Sequence, residues 1–197
     1  MRNLRSRLAM FILFAVAVTA FTTCGSSAGE DRSREKVRLK EKKLGSTQPV
    51  HAFGDIYLAG QPSAEDLRVF NGQGIKTVIS LRHKKELPWD EASTVELSGM
   101  KFVHVPFAGP QQLKPEVFDK VLKILRDEKQ GPMVLHCGSA NRVGAIWYAY
   151  RVLDGKLPPD EAMKEAQKVG LRTPAYLDRA QEYVIAVREA EKAPSAQ

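Results

Sequence analysis

Leu135-His136-Cys137-Gly138-Ser139-Ala140-Asn141-Arg142-Val143-Gly144 is the stretch on which the reading of this chain turns. Before it, Met133, Val134 and Leu135 read as a short central strand entered through Gly131-Pro132. After it, residues 143–153 are apolar nearly all round, the mark of a buried helix. Cys137 therefore stands at the end of a strand, and Arg142 at the start of a helix. Between them Gly138, Ser139, Ala140 and Asn141 are all small or turn-tolerant. Small side chains let backbone N–H groups converge on one point and form an anion nest. The following helix adds the positive end of its dipole. Arg142 offers a planar fork that matches two oxygens of a tetrahedral oxyanion. The same field favours a thiolate at Cys137. One loop thus supplies an oxyanion-binding set, Gly138 to Arg142, and a nucleophile, Cys137, aimed into it.

Outward from this loop, strands and helices alternate. Asp55–Ala59, Ile75–Leu81 and Phe102–Pro106 read as further strands, the second rich in β-branched residues. Ser63 with Asp66 is a capping-box pair opening a helix over Leu67 and Phe70. A short helix is expected near Asp90–Ser98. Pro115 opens one striped by Phe118, Val121, Leu122 and Leu125, and Pro158-Pro159-Asp160 another. Tyr176, Leu177, Ala180, Tyr183, Val184 and Val187 stripe the last. The pattern predicts an α/β domain over residues 48–190, a mainly parallel central sheet of about four strands covered by helices. Ligands of such sheets bind beyond the carboxyl ends of the strands, where Cys137 lies.

The His-Cys pair, the small residues and the Arg-Gly-containing end of this loop resemble the signature of protein tyrosine and dual-specificity phosphatases. More closely, the chain resembles the phosphatase-like domain family associated with beta-lactamase-hydrolase-like proteins. Gly60-Gln61-Pro62-Ser63, the run Gly74 to Arg82, Val103-His104-Val105-Pro106 and the loop His136–Gly144 carry the likeness in the right order. It implies a cysteine-phosphatase-like fold, Cys137 as nucleophile through a phosphocysteine, and Arg142 as phosphate clamp. It also implies that His136 orders the loop rather than transferring protons. Arg82, at the end of a strand on the same edge, is a supporting residue for which substrate contact and a structural ion pair are both open.

Three departures from the phosphatase pattern matter. Four residues separate Cys137 from Arg142, where phosphatases usually have five; rhodanese-type sulfurtransferases and the phosphatase-like family resembled here share the shorter spacing. Val143 replaces the Ser or Thr that helps the thiolate leave. Phe107 to Gln112 contain no acid where phosphatases carry a general-acid Asp, and loss of a general acid typically lowers the rate by roughly 10²–10⁴-fold. Asp90, Glu91, Asp119 and His104 are substitute candidates with ordinary structural readings as well. Three functions follow: a cysteine phosphatase, weak for want of the acid; a sulfurtransferase or persulfide carrier, which needs none; and a non-catalytic oxyanion-binding domain. Each takes a phosphorylated or other oxyanion ligand. No metal-ligand cluster, nucleotide loop or Ser-His-Asp set competes, so neither metal nor cofactor is expected.

Composition bounds the partners. The net charge is +7. Residues 1–43 hold ten Lys/Arg against four Asp/Glu, a net of +6, which leaves +1 for the rest. A nucleic-acid binder should carry its basic face on the domain itself, so no nucleic-acid partner is expected. Arg2, Arg5 and Arg7 precede an uncharged run from Leu8 to Phe21. That run is too short for a span of about 20 residues and fits an export signal. Export to the periplasm or to a membrane anchor is expected, by cleavage after Ala28 or by lipid attachment at Cys24. Residues 29–47 are polar and charged and read as a flexible linker; residues 191–197 read as a tail.

Overall fold

The computed structural model describes residues 37–193. They form six strands: β1 (Lys40–Glu41), β2 (Val50–Phe53), β3 (Ile56–Ala59), β4 (Thr77–Ser80), β5 (Lys101–His104) and β6 (Met133–His136). The helices are α1 (Ala64–Gly72), α2 (Glu91–Leu97), α3 (Pro115–Leu125), α4 (Asn141–Leu153), α5 (Pro159–Val169) and α6 (Pro174–Lys192). The sheet runs β1-β2-β3-β6-β4-β5. The four expected strands, β3, β6, β4 and β5, pair in parallel. β1 and β2 extend the β3 edge in antiparallel fashion.

Alternation along the strands divides the core between two faces. Val78 and Val134 point with Leu67, Phe70 and Val95 into the layer under α1 and α2. Ile79, Met133 and Leu135 point into the larger layer under α3, α4, α5 and α6. A period of two and burial on both faces explain why these strands read as nearly continuous apolar runs. Helix α4 is apolar all round because it lies inside this larger layer, against both α5 and α6. Two polar groups in its buried part, on Trp147 and Arg151, share one carboxylate. Glu165 accepts from Trp147 Nε1 at 3.2 Å and from Arg151 Nε at 2.7 Å.

The capping box at α1 is present, with Ser63 and Asp66 each accepting from the other's backbone N–H at 3.1 Å. Asp66 does more than cap. It also accepts from Ser46 N at 2.6 Å and Thr47 Oγ1 at 2.9 Å. This corrects the reading of residues 29–47 as a flexible linker where they are described. Lys40 and Glu41 pair with Ala52 and His51, and Leu44 is fully buried. Strand pairing, polar contacts to one carboxylate, and the isolated apolar residues Leu39 and Leu44 hold the segment, so no hydrophobic period announced it. α6 continues to Lys192, two residues into the expected tail. The signal segment 1–28, residues 29–36 and residues 194–197 lie outside the described residues.

Register aligns the carboxyl ends of the strands. His136 pairs with Ala59 on one side and Ser80 on the other, and Ser80 pairs with His104. The residues that follow, Gly60, Cys137, Leu81 and Val105, therefore leave the sheet along one edge. Their loops build the site.

Candidate active site

The loop after β6 is held on both sides. Cys137 N donates to Ala59 O at 3.4 Å, and Gln61 N donates to Gly138 O at 3.3 Å. The chain then turns into α4 through Ala140, whose φ of 59° and ψ of 3° lie in the left-handed region. A non-glycine residue there costs on the order of 1 kcal/mol and calls for a supporting environment. The junction between α5 and α6 provides it. Asn141 Oδ1 accepts from Arg172 N at 2.9 Å and Thr173 N at 3.3 Å, and Asn141 Nδ2 donates to Thr173 Oγ1 at 2.8 Å. Arg172 Nη2 donates to Ser139 Oγ at 2.5 Å. Ala140 turns back into the Gly60–Ser139 bridge, and the backbone N–H groups of residues 138, 139 and 141–143 have no protein acceptor among the described residues. Buried backbone donors are almost always paired, so open ones at a helix N-terminus are suited to an anion.

Arg142 is fixed by acceptors around one side of its guanidinium. Nη1 donates to Leu81 O at 2.9 Å, Phe107 O at 2.7 Å and Glu86 Oε1 at 2.9 Å, and Nη2 donates to Glu86 Oε2 at 2.6 Å. The remaining donors, Nε–H and one Nη2–H, form a two-pronged edge without a partner among the described residues. The Arg142 hydrogen bonds and charge, with the His83 backbone N–H, outweigh desolvation and hold the Glu86 pKa down at about 2. Arg142 is pushed upward: its burial works against the charge, but Glu86 and Cys137 overcome that. Arg82 serves the same construction. Its Nη2 donates to Glu86 O at 2.6 Å and its Nη1 to Gln61 Oε1 at 2.8 Å. Of the two readings open for Arg82, the structural one describes its contacts.

Cys137, Gly138, Ser139, Asn141 and Arg142 line one pocket of about 250 Å³ together with Glu86, Ala108, Gly109 and Tyr176. Ala140 is buried beneath the turn, and His136 is completely buried under the loop. His136 Nε2 lies 3.3 Å from Glu91 Oε1, off the line of a good hydrogen bond. Burial lowers the His136 pKa, with the Glu91 charge opposing. A neutral ring in the floor fits an ordering role.

The substitute acids named from sequence are engaged elsewhere. Asp90 caps α2 through Ser93. Glu91 is buried and accepts from Gln61 Nε2 at 2.7 Å. Asp119 accepts from Tyr183 Oη at 2.6 Å on the far side of α6. His104 Nε2 lies 2.6 Å from Arg82 O. Two residues of the pocket escaped sequence reading. Glu86 sits in a polar stretch without period, and Tyr176 was absorbed into the apolar stripe of α6. Arg172, which donates to Ser139 Oγ, gave no signal either.

The comparisons with known proteins agree on the class of fold. A family model described as DSP-PTPase phosphatase fused to NAD+ kinase matches residues 36–186. No curated protein matches the sequence. Among solved structures, a putative phosphatase from Shewanella putrefaciens is similar at 19% identity and a TM-score of 0.58, over 78% of this chain and 91% of that one. P. aeruginosa TpbA in complex with phosphotyrosine is similar at 18% identity and a TM-score of 0.61, over 80% and 98%. The catalytic core of the S. cerevisiae PP-IP phosphatase Siw14 is similar at 18% identity and a TM-score of 0.55, over 72% and 91%. With the matched model spanning most of the chain and a cysteine-phosphatase-like fold around the Cys137 loop, this protein belongs to the DSP-PTPase phosphatase family described for domains fused to NAD+ kinase.

Proposed function

We propose that the protein is a cysteine-dependent phosphatase. The Cys137 thiolate attacks the phosphorus of a phosphomonoester, the bond to the leaving oxygen breaks, and water then hydrolyses the phosphocysteine. The observation that carries this reading is the free edge of Arg142. Its inner side is bonded to Glu86 and two carbonyls, which leaves Nε–H and Nη2–H for a phosphoryl group. The N–H groups of residues 138, 139 and 141–143, without a protein acceptor among the described residues, supply the remaining donors. Such donors, fixed in advance, stabilise charge that grows on the equatorial oxygens in the transition state. The similar TpbA structure holds phosphotyrosine and the similar Siw14 is a PP-IP phosphatase, which supports a phosphate ester or anhydride here. Export, through cleavage after Ala28 or lipid on Cys24, belongs to the same proposal. Cell fractionation and the intact mass of the mature chain test it.

Parallel assays of the purified protein with an activated aryl phosphate and with thiosulfate plus cyanide test the chemistry. Phosphate release that disappears in Cys137→Ser, with an acid-quenched phosphocysteine in the wild type, is the expected result. Thiocyanate formation without phosphate release would assign the loop to sulfur transfer instead.

A further inference from the structure

The loop Phe107–Gln112 follows β5 and carries no carboxylate, yet it is held in a defined place. Arg142 Nη1 binds Phe107 O at 2.7 Å, and Gln112 Oε1 accepts from Ala108 N at 2.8 Å. The third restraint comes from α6. Gly109 N donates to Tyr176 Oη at 3.1 Å. Gly109 has a φ of 76°, a left-handed conformation that glycine adopts without steric cost. Tyr176 is buried apart from the pocket it shares with Cys137 and Arg142. Its ring meets Phe107 edge to face, with centroids 6.0 Å apart and an interplanar angle of 82°.

We propose that Tyr176 is the proton donor to the leaving group. The hydroxyl oxygen receives the Gly109 N–H, and its own hydrogen has no acceptor among the described residues. A buried tyrosine hydroxyl usually finds a partner. Tyr176 lines the pocket that also holds Cys137 and Arg142. The proposal rests on the phosphatase reading of Cys137. In the first step the Cys137 sulfur–phosphorus bond forms and the phosphorus–oxygen bond to the leaving group breaks. The leaving oxygen takes the Tyr176 proton and departs as a neutral alcohol. The tyrosinate is held by the Gly109 N–H beside the Arg142 charge. In the second step water attacks phosphorus, the sulfur–phosphorus bond breaks, and the water proton returns to Tyr176. Ester plus water becomes alcohol plus phosphate, and the enzyme is regenerated. Asp90, Glu91, Glu86 and Asp119 are each bound to other groups, so none of them competes for this place.

The test is a leaving-group series. Wild type and Tyr176→Phe are assayed on aryl phosphates from strongly acidic phenols to unsubstituted phenol, with an alkyl phosphate added, and with Cys137→Ser as reference. Tyr176→Phe keeps the ring and the contact with Phe107, and melting curves verify the fold. We expect kcat/KM to fall about 10²-fold or more for phenyl and alkyl phosphates and less than about threefold for the most acidic phenol. The dependence on leaving-group pKa should steepen accordingly. A uniform loss across the series, or no loss, would overturn the role of Tyr176 while leaving the phosphatase reading intact. Undiminished hydrolysis by Cys137→Ser would remove both.

Discussion

At the scale of single residues, Arg142 and Glu86 act as one unit. Arg142→Lys keeps the charge but loses the fork, so it loses both the grip on Glu86 and the two-pronged edge toward the ligand. We expect kcat/KM to fall by about 10²-fold or more in Arg142→Lys and further in Arg142→Ala, with phosphate inhibition weakened in the same order. Wild-type behaviour of a folded Arg142→Ala would reduce this residue to a helix-start element. Glu86 adds a pH signature. Its folded pKa of about 2 lies below the ordinary 4.5. Its contribution to stability is therefore complete above about pH 4.5 and is lost as pH falls toward 2. In urea titrations at pH 7 and pH 3, wild type should lose more stability than Glu86→Gln; equal losses would mean that the pair does not stabilise the fold. Cys137 and Arg142 were legible because two reactive residue types flank a run of small ones between a strand and a helix. Glu86 was not, because a carboxylate in a charged stretch looks like any solvated charge until the fold carries it to Arg142.

At the scale of elements, the site depends on the segment that joins α5 to α6. The left-handed turn at Ala140 is braced by the α5–α6 junction, through Asn141 with Thr173 and through Arg172 with Ser139. Gly144, one turn into α4, lets this junction approach. A Cβ there would lie 2.7 Å from Leu171 Cβ and 2.8 Å from Ala166 O. We expect Gly144→Ala to cost about 1–3 kcal/mol, the usual range for overpacking. It should also lower kcat/KM, because Leu171 lies between Gly170 and Arg172, both at the back of the loop. Calorimetry with steady-state kinetics reads both, and an unchanged melting temperature would mean that α5 yields freely. Helix existence was legible from apolar spacing, caps and prolines, and α4 was legible as central because it has no polar face. Bracing by Arg172 and Thr173 was invisible, since hydrogen bonds from an exposed Arg and a Thr leave no periodic trace.

At the scale of the molecule, the sheet is wider than its parallel centre and is closed at one edge by a segment of mostly polar residues. β1 has two residues, both exposed, too few for an alternation to register, and β2 lies close to β3 across a tight reversal. What holds residues 40–47 is Leu44, fully buried, and the cluster around Asp66. Burial would raise the Asp66 pKa, but hydrogen bonds from Ser46, Ser63 and Thr47 outweigh it and hold the value below normal. That contribution is present above the ordinary carboxylate range and is lost as pH falls through the depressed value. A chain beginning at Gln48 would expose the pocket left by Leu44 and strip this nearly buried carboxylate of its Ser46 and Thr47 donors. Full burial of a leucine contributes about 1.5–3 kcal/mol, and leaving a buried polar group short of donors costs about 1–3 kcal/mol. Residues 48–193 should therefore be about 3–5 kcal/mol less stable than residues 37–193 by denaturant titration at pH 7. Leu44→Ala in the longer chain should reproduce about half or more of that loss, and Asp66→Asn should separate the polar part. The loss should also reach the site, because Gly60, whose N–H donates to Pro49 O at 2.9 Å, bridges to Ser139 in the Cys137 loop. Equal stability of the two chains would show that residues 37–47 rest on the domain without supporting it.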